Sequence, residues 1–166
     1  MNNQDDALIH TPFGAVAIAA HNGQLAIELL AVMPADTLEI AKQSGNPLVM
    51  RACQQVIAYL LNPDARFDMP VSQHGTAFQQ RVWQAIAAIP VGEVRTYGEL
   101  AREIGSGPRA VANACGANQL PLLVPCHRVV AQHGLGGFMQ GKENGLPIKQ
   151  WLLKREGVRW PGVDSE

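Results

Sequence analysis

A thiol and an imidazole stand side by side in Pro125-Cys126-His127-Arg128-Val129-Val130, at the end of an apolar run that begins at Leu122. The nucleophile in cysteine chemistry is the thiolate. An unperturbed thiol, with a pKa of about 8.5, is mostly protonated at neutral pH and needs a neighbouring base or cation to be activated. His127 is the candidate base, acting directly or through a water. Successive side chains of an extended strand point to opposite faces, so direct contact between Cys126 and His127 requires a bend or a bridging group. Leu122-Leu123-Val124 and Pro125 favour a buried, non-helical segment. Taken alone, the dipeptide fits equally a buried cysteine in a β-strand with no chemistry to perform.

The elements that must position this segment are mostly helical. Thr76-x-x-Gln79 is a capping box that predicts a helix with Phe78, Val82, Ala85, Ile86 and Ile89 on its core face, closed by Pro90 and Gly92. Thr96-x-x-Glu99 is a second capping box, opening a short helix from Tyr97 to Ile104 that Gly105 ends. Ser106-Gly107 then leads to Pro108 in the first turn of another helix, running to about Gly116. Two short helices joined by a tight glycine-containing turn fit a helix-turn-helix or an ordinary helical hairpin. Arg109 favours the first: it opens a helix whose following residues, Ala110 to Cys115, are small enough to let the backbone approach nucleic acid closely.

The preceding third of the chain reads differently. Phe13 to Ala19 and Gln24 to Leu30 are β-prone segments on either side of Asn22-Gly23, the dipeptide best suited to a two-residue hairpin turn. Asn46 and Pro47 cap and open a helix in which Val49, Ala52, Cys53, Val56, Ile57 and Leu60 recur at helical spacing, so one amphipathic helix covers a small sheet. Asn62 to Gly75 is a connection, with Phe67 and Met69 as an edge strand between turns. The chain is therefore expected to be α+β, with an antiparallel sheet and helix over 1–73, a mostly helical domain over 74–159 and a tail over 160–166.

Charge follows the same division. Residues 1–73 carry three Lys or Arg against seven Asp or Glu, a net −4, and residues 74–159 carry ten against five, a net +5. A cationic part on an acidic partner hints at a polyanionic ligand. Asp5 and Asp6 with no long apolar segment do not read as a signal peptide, and Ala15 to Ala20, the longest all-apolar run, is too short to span a bilayer. A cytoplasmic protein with no membrane partner is expected. Cys53, Cys115 and Cys126 show no CxxC spacing, which suggests reduced thiols and neither a disulfide framework nor a zinc finger. His10, His21, His74 and His133 lack ligand spacing and are expected in solvated loops. No metal or cofactor is expected.

Beyond the hexapeptide, Val82-Trp83, Pro90-x-Gly92-Glu93-Val94, Thr96-Tyr97, Leu100-Ala101, Arg109-Ala110-Val111, Asn118, Pro121 and Lys149-x-Trp151-Leu152-Leu153-x-x-Glu156-Gly157 follow in a fixed order. In that order and spacing, from Phe78 to Gly157, the chain resembles the O6-alkylguanine-DNA alkyltransferases, which move an alkyl group from guanine to their own cysteine. The N-terminal third matches only through Thr11-Pro12-x-Gly14 and the hairpin. The resemblance implies an RNase H-like N-terminal domain, a helix-turn-helix in the second domain, and single-turnover repair of O6-alkylguanine and O4-alkylthymine by base flipping.

It also implies roles. Cys126 is the alkyl acceptor, Glu156 orients His127, and His127 polarises a water that takes the thiol proton. Tyr97 serves the leaving purine as acid. Arg109, beside Ala110, enters the base stack in place of the extruded nucleotide. Asn118 ties the recognition helix to the cysteine loop, and the carbonyls of Cys126 and Val129 accept from the guanine amino group. Phe138, where relatives often have Tyr, forms the far wall of the pocket. Lys149 and Arg128 are read as phosphate contacts, interdomain pairs or surface charges. The partner is double-stranded DNA, bound by a protein that is monomeric in solution and takes several copies on DNA. Two departures concern Met139 to Asn144, which lengthens the pocket loop, and Gly116, where relatives carry a cation, implying weaker DNA binding.

Other functions fit less well. A non-catalytic, lesion-binding helix-turn-helix protein would lack the acceptor Cys126. A transcription regulator of this kind would carry an additional cysteine-rich N-terminal sensor, and only Cys53 lies in the first half. A cysteine hydrolase could use Cys126 and His127, but hydrolysis needs a labile ester, whereas an S-alkyl thioether is inert and the protein would be consumed in one turnover.

Overall fold

Alternating burial along Ala7–Thr11, buried at every second residue, marks a strand with one face on a core and one face out. In the computed structural model, which describes residues 6–31, 38–69, 72–138 and 145–163, this strand belongs to the first of two units, Met1–Gln73 and His74–Glu166. The first unit holds an antiparallel sheet of β1 (Ala7–Thr11), β2 (Gly14–His21), β3 (Gln24–Leu30) and β4 (Glu39–Lys42), in the order β3-β2-β1-β4. Pairing of His21 with Gln24 leaves Asn22 and Gly23 as a two-residue turn with φ of 53° and 78°. Both angles are positive, as a twist-matched hairpin requires.

Helix α1 (Pro47–Leu61) packs on β1 and β2. Asn46 caps it, its side-chain oxygen accepting from the Leu48 and Val49 N–H groups at 2.9 and 3.5 Å, and Val49, Ala52, Cys53, Val56, Tyr59 and Leu60 form the buried stripe. Three expectations need correction. Ile57 is only half-buried, and Tyr59 takes its place in the stripe. Phe67 to Met69 is not an edge strand: the Asp68 N–H donates to Gln55 Oε1 at 2.8 Å and the Phe67 ring lies 5.5 Å from that of Tyr59, so α1 side chains satisfy this segment instead of a β-ladder. His10 lies within β1 and His21 ends β2, so neither belongs to a loop.

In the second unit α2 (Ala77–Ala87) and α3 (Tyr97–Ile104) each begin with a complete capping box. The Thr76 hydroxyl accepts from Gln79 N at 3.1 Å while Gln79 Oε1 accepts from Thr76 N at 2.9 Å; the corresponding Thr96 and Glu99 distances are 3.0 and 2.8 Å. Val82, Trp83 and Ile86 are the buried residues of α2, with Phe78 and Ala85 at the margin. Gly105, at φ 82°, ends α3 in the left-handed conformation, and α4 (Pro108–Gly116) follows at once. Helix α3 packs on α4 and α2 on both, and Trp83 anchors α4 by donating its indole N–H to the Ala114 carbonyl at 2.9 Å.

A two-stranded parallel sheet joins this helical part to the cysteine segment. β5 (Arg95–Thr96) pairs with β6 (Val129–Val130), Arg95 opposite Val129 and Thr96 opposite Val130. Because Thr96 also caps α3, the strand pair fixes the start of that helix against the cysteine segment. Helix α5 (Gly145–Arg155) contributes Leu153 to a cluster with Val130, Val158 and Val163, against which Val94, Leu135 and Trp160 pack. Trp160 and Val163, set apart in the sequence as part of a tail, thus belong with this core, and the Trp160 indole N–H donates to the Gly134 carbonyl at 2.8 Å. The expectation on Met139 to Asn144 lies outside the described residues. Among the described residues no helix is long and apolar enough to cross a membrane.

Candidate active site

Residues 122–130 are all buried, and within them Cys126–Arg128 form one turn of 3₁₀ helix before the chain extends into β6. The chain therefore bends at the Cys-His pair and does not run through it as an extended strand. Val124 N donates to Leu120 O at 2.8 Å and Arg128 N to Pro125 O at 2.9 Å, so the turn is closed by its own backbone. Leu122, at φ 78°, adopts a conformation costly for a side chain with a Cβ. It is held there fully packed, 2% exposed.

The turn aims His127 and Arg128 at one carboxylate. His127 Nε2 lies 2.8 Å from Glu156 Oε2; Arg128 donates from Nε to Glu156 Oε1 at 2.9 Å and from Nη2 to Oε2 at 3.0 Å, and its Nη1 donates to the Ile89 carbonyl at 2.7 Å. Glu156 follows the last residue of α5, where its N–H donates to Leu152 O at 3.0 Å and Gly157, at φ 81°, turns the chain away. Burial pushes the Glu156 carboxyl up, but its hydrogen bonds and attraction to His127 and Arg128 prevail and hold it at about 2. Burial lowers the His127 pKa despite Glu156, with Arg128 and Lys149 adding to the lowering. A neutral imidazole beside an ionised carboxylate carries its hydrogen on Nε2, leaving Arg128 as the cation that balances Glu156. The opposite nitrogen, Nδ1, is then a lone-pair acceptor, and it is buried without a hydrogen-bond partner among the described residues.

The Cys126 thiol, 7% exposed, receives the Asn118 amide N–H at 3.1 Å. The same Asn118 nitrogen donates to Val124 O at 2.9 Å and its oxygen accepts from Leu120 N at 2.9 Å, so this side chain just beyond α4 braces the loop entering the turn. Cys126 Sγ also lies 3.9 Å from the Cys115 carbonyl on α4. The hydrogen bond with the Cys115 thiol, with burial, raises the Cys126 pKa well above its ordinary value; Asn118 and the Lys149 charge work against that rise.

Lys149 and Arg128 need correction. Neither is a surface charge or reaches toward phosphate: both side chains are buried because internal acceptors satisfy their N–H groups. Lys149 Nζ donates to Val129 O at 2.6 Å and Gly137 O at 2.9 Å, and sits 5.8 Å from the ring centroids of both Tyr97 and Phe138. Burial lowers its pKa to about 8, opposed by Cys115 and Cys126. The carbonyls expected to read guanine are also partly engaged, Val129 O by Lys149 and Cys126 O by the Val129 N–H, leaving each one further lone pair. Tyr97 donates its hydroxyl to Gly137 O at 3.3 Å, and burial raises its pKa, so it stays protonated. A Cβ at Gly136, already at φ 75°, would stand 2.8 Å from Tyr97 Cε2, so only glycine lets this loop approach the ring.

The structure therefore brings together Cys126, His127, Glu156, Asn118, Tyr97, Val129, Phe138, Lys149 and Arg128. Arg109 and Ala110 lie apart from them at the start of α4, Arg109 exposed and Ala110 half-buried. Sequence reasoning missed Cys115. Its signal was present: Val111, Cys115 and Asn118 recur at helical spacing, so a helix that aims Asn118 at the cysteine loop brings Cys115 to the same side.

Residues 77–158 match the family described as 6-O-methylguanine DNA methyltransferase, DNA binding domain. The chain is 36% identical to the constitutive methylated-DNA–protein-cysteine methyltransferase of Bacillus subtilis over 90% of its own length and 93% of that protein. It is 43% identical to the regulatory protein ada of Salmonella typhimurium over 70% of its length, but spans only 33% of that longer protein. Its fold is similar to the crystal structure of Mycobacterium tuberculosis OGT in complex with DNA, with a TM-score of 0.74, 36% identity and 94% of each chain covered.

Proposed function

Because the chain belongs to the methylated-DNA–protein-cysteine methyltransferases, we propose that it repairs O6-alkylguanine in double-stranded DNA by irreversible transfer of the alkyl group to Cys126. The observation that carries this reading is the unpartnered Nδ1 of His127, whose far side is fixed by Glu156 at 2.8 Å. An oriented base with an open lone pair beside a buried thiol is what a high-pKa nucleophile requires. A water held at Nδ1 takes the Cys126 proton. The thiolate, stabilised by the Asn118 amide and the Lys149 charge, attacks the alkyl carbon. The S–C bond forms as the C–O bond to guanine breaks. Tyr97, protonated and within reach of the Lys149 and Gly137 pocket wall, supplies hydrogen-bond acidity to the departing purine. The thioether left on Cys126 has no leaving group, so each chain turns over once.

On this reading Arg109 acts as the wedge of a DNA-reading helix-turn-helix formed by α3 and α4, with Ala110 giving close approach; its exposure at the start of α4 supports that role. The meander β1-β2-β3, with α1 packed on β1 and β2, supports the RNase H-like reading of the first unit. O4-alkylthymine is a second substrate on this account, since it presents the same alkyl carbon on an exocyclic oxygen. Incubation with a duplex containing O6-methylguanine should add one methyl group per chain, mapped to Cys126, and Cys126→Ser should abolish transfer because a hydroxyl is not a nucleophile at neutral pH. Methylation of Cys53 or Cys115 would contradict the assignment.

A further inference from the structure

The transfer mechanism uses one cysteine, yet two lie in the pocket. Cys115 sits in the last turn of α4, and the Cys126 thiol is aimed at it, Cys126 Sγ standing 3.9 Å from the Cys115 carbonyl oxygen. The two residues are separated by a loop that Asn118 pins to both ends, through Leu120 N and Val124 O, so their approach is built into the fold. Cys115 is half-buried while Cys126 is 7% exposed, which gives small solutes their access from the Cys115 side. The Lys149 ammonium interacts with both sulfurs and favours a thiolate on either. Cys53, the remaining cysteine, belongs to the other unit and is fully buried in α1. Two cysteines brought together by the fold, near a fixed cation and with one of them only half-buried, form a redox-active pair rather than a lone nucleophile.

We propose that Cys115 is a resolving thiol for Cys126, and that a hydroperoxide converts the pair to a reversible disulfide. One sulfur of the pair, as thiolate, attacks the peroxide oxygen: an S–O bond forms, the O–O bond breaks, and the departing alkoxide or hydroxide takes up the thiol's proton. The second thiol attacks that sulfenic sulfur, so that an S–S bond forms, the S–O bond breaks and water leaves. The peroxide is reduced and two thiols are oxidised, with no other reactant. Without Cys115 the sulfenic acid on Cys126 would meet further peroxide and reach the sulfinic acid, which thiols do not reverse. The consequence for repair rests on the acceptor role proposed above: the bridge would hold the acceptor inactive and recoverable.

No Lys or Arg lies between Ala110 and Arg128, so trypsin leaves both cysteines in one peptide, 110–128. After treatment of the folded full chain with hydrogen peroxide, and blocking of free thiols under denaturing conditions, this peptide should be two hydrogens lighter and carry no blocking group. Dithiothreitol should restore both thiols, and methyl transfer should be lost and regained in parallel. In Cys115→Ala the same treatment should instead yield Cys126 carrying two added oxygens, with no recovery by dithiothreitol. Sulfinic acid forming on Cys126 as fast in the native chain as in Cys115→Ala, or a bridge to Cys53, would overturn the proposal. A bridge that forms normally in a chain whose reduced form transfers no methyl group would leave the pairing standing and sink the acceptor reading instead.

Discussion

The two units solve burial in opposite ways. Among the described residues, the first buries Thr11, Ser44 and Gln73 as its polar groups, around a core of Ile9, Ile18, Val49 and their neighbours. The second buries an imidazole, a guanidinium, an ammonium and a carboxylate, His127, Arg128, Lys149 and Glu156. Apolar packing is the more economical source of stability, since desolvating charges consumes most of what their attraction returns. A cluster that folding alone would not favour points to chemistry: the second unit holds His127 neutral and oriented, and surrounds Cys126 with a cation and an amide, where an apolar core of equal volume could do neither.

The sharpest way to break this contrast is to remove the hub of the charged cluster. Glu156→Ala leaves Arg128 and His127 buried without their shared acceptor and should destabilise the second unit by about 3–5 kcal/mol. All three tryptophans, Trp83, Trp151 and Trp160, lie in His74–Glu166, so their fluorescence in a urea titration follows that unit selectively. An unchanged midpoint would mean that the cluster is not a structural element. The matching change in the first unit is Ile18→Ala, at a side chain with 0% exposure. It should cost roughly 2–5 kcal/mol, read by far-ultraviolet circular dichroism, as a core cavity does. The contrast predicts that the Ile18→Ala protein, assayed under folding conditions, transfers methyl groups at the native rate. A slower transfer would show that the first unit contributes to the site.

How the contrast was visible in the sequence differs by unit. The hairpin around Asn22-Gly23 and the helix after Asn46-Pro47 could be read directly, because turn chemistry, capping and apolar period agree there. β1, at five residues, was not read although its alternation is regular, and β4, at four residues with one half-buried side chain, carries little pattern. In the second unit both capping boxes marked the starts of their helices and Gly105 the end of α3, while α2 ends at Ala87, ahead of the Pro90 and Gly92 expected to close it. The site's nucleophile and base were legible as Cys126 and His127. The burial of Lys149 and Arg128 was not, because a cation in a sequence carries no sign of the carbonyls and carboxylate that will satisfy it from 12 to 39 residues away.

Acid should separate the units more gently than mutation. Glu156 titrates at about 2 against an ordinary 4.5, so the unfolded chain takes up that proton first as pH falls. Its contribution, on the order of 3 kcal/mol, is complete above pH 4.5 and lost on the way down to about 2. His127, lowered from 6.5, adds a loss that begins as pH falls through 6.5, because the unfolded imidazole charges first. Tryptophan-detected stability should therefore decline in two stages below pH 6.5. A flat profile from pH 7 to 4 would contradict the burial of His127 as a neutral ring.

The protonation state of that ring is the centre of the account, and nitrogen-15 NMR of the histidine side chains reads it most directly. In the reduced protein the His127 signal, assigned by its absence in His127→Asn, should show a hydrogen on Nε2 and an unprotonated Nδ1 at pH 7. An imidazolium at pH 7, or a hydrogen on Nδ1, would leave no acceptor for the Cys126 proton and would contradict the mechanism.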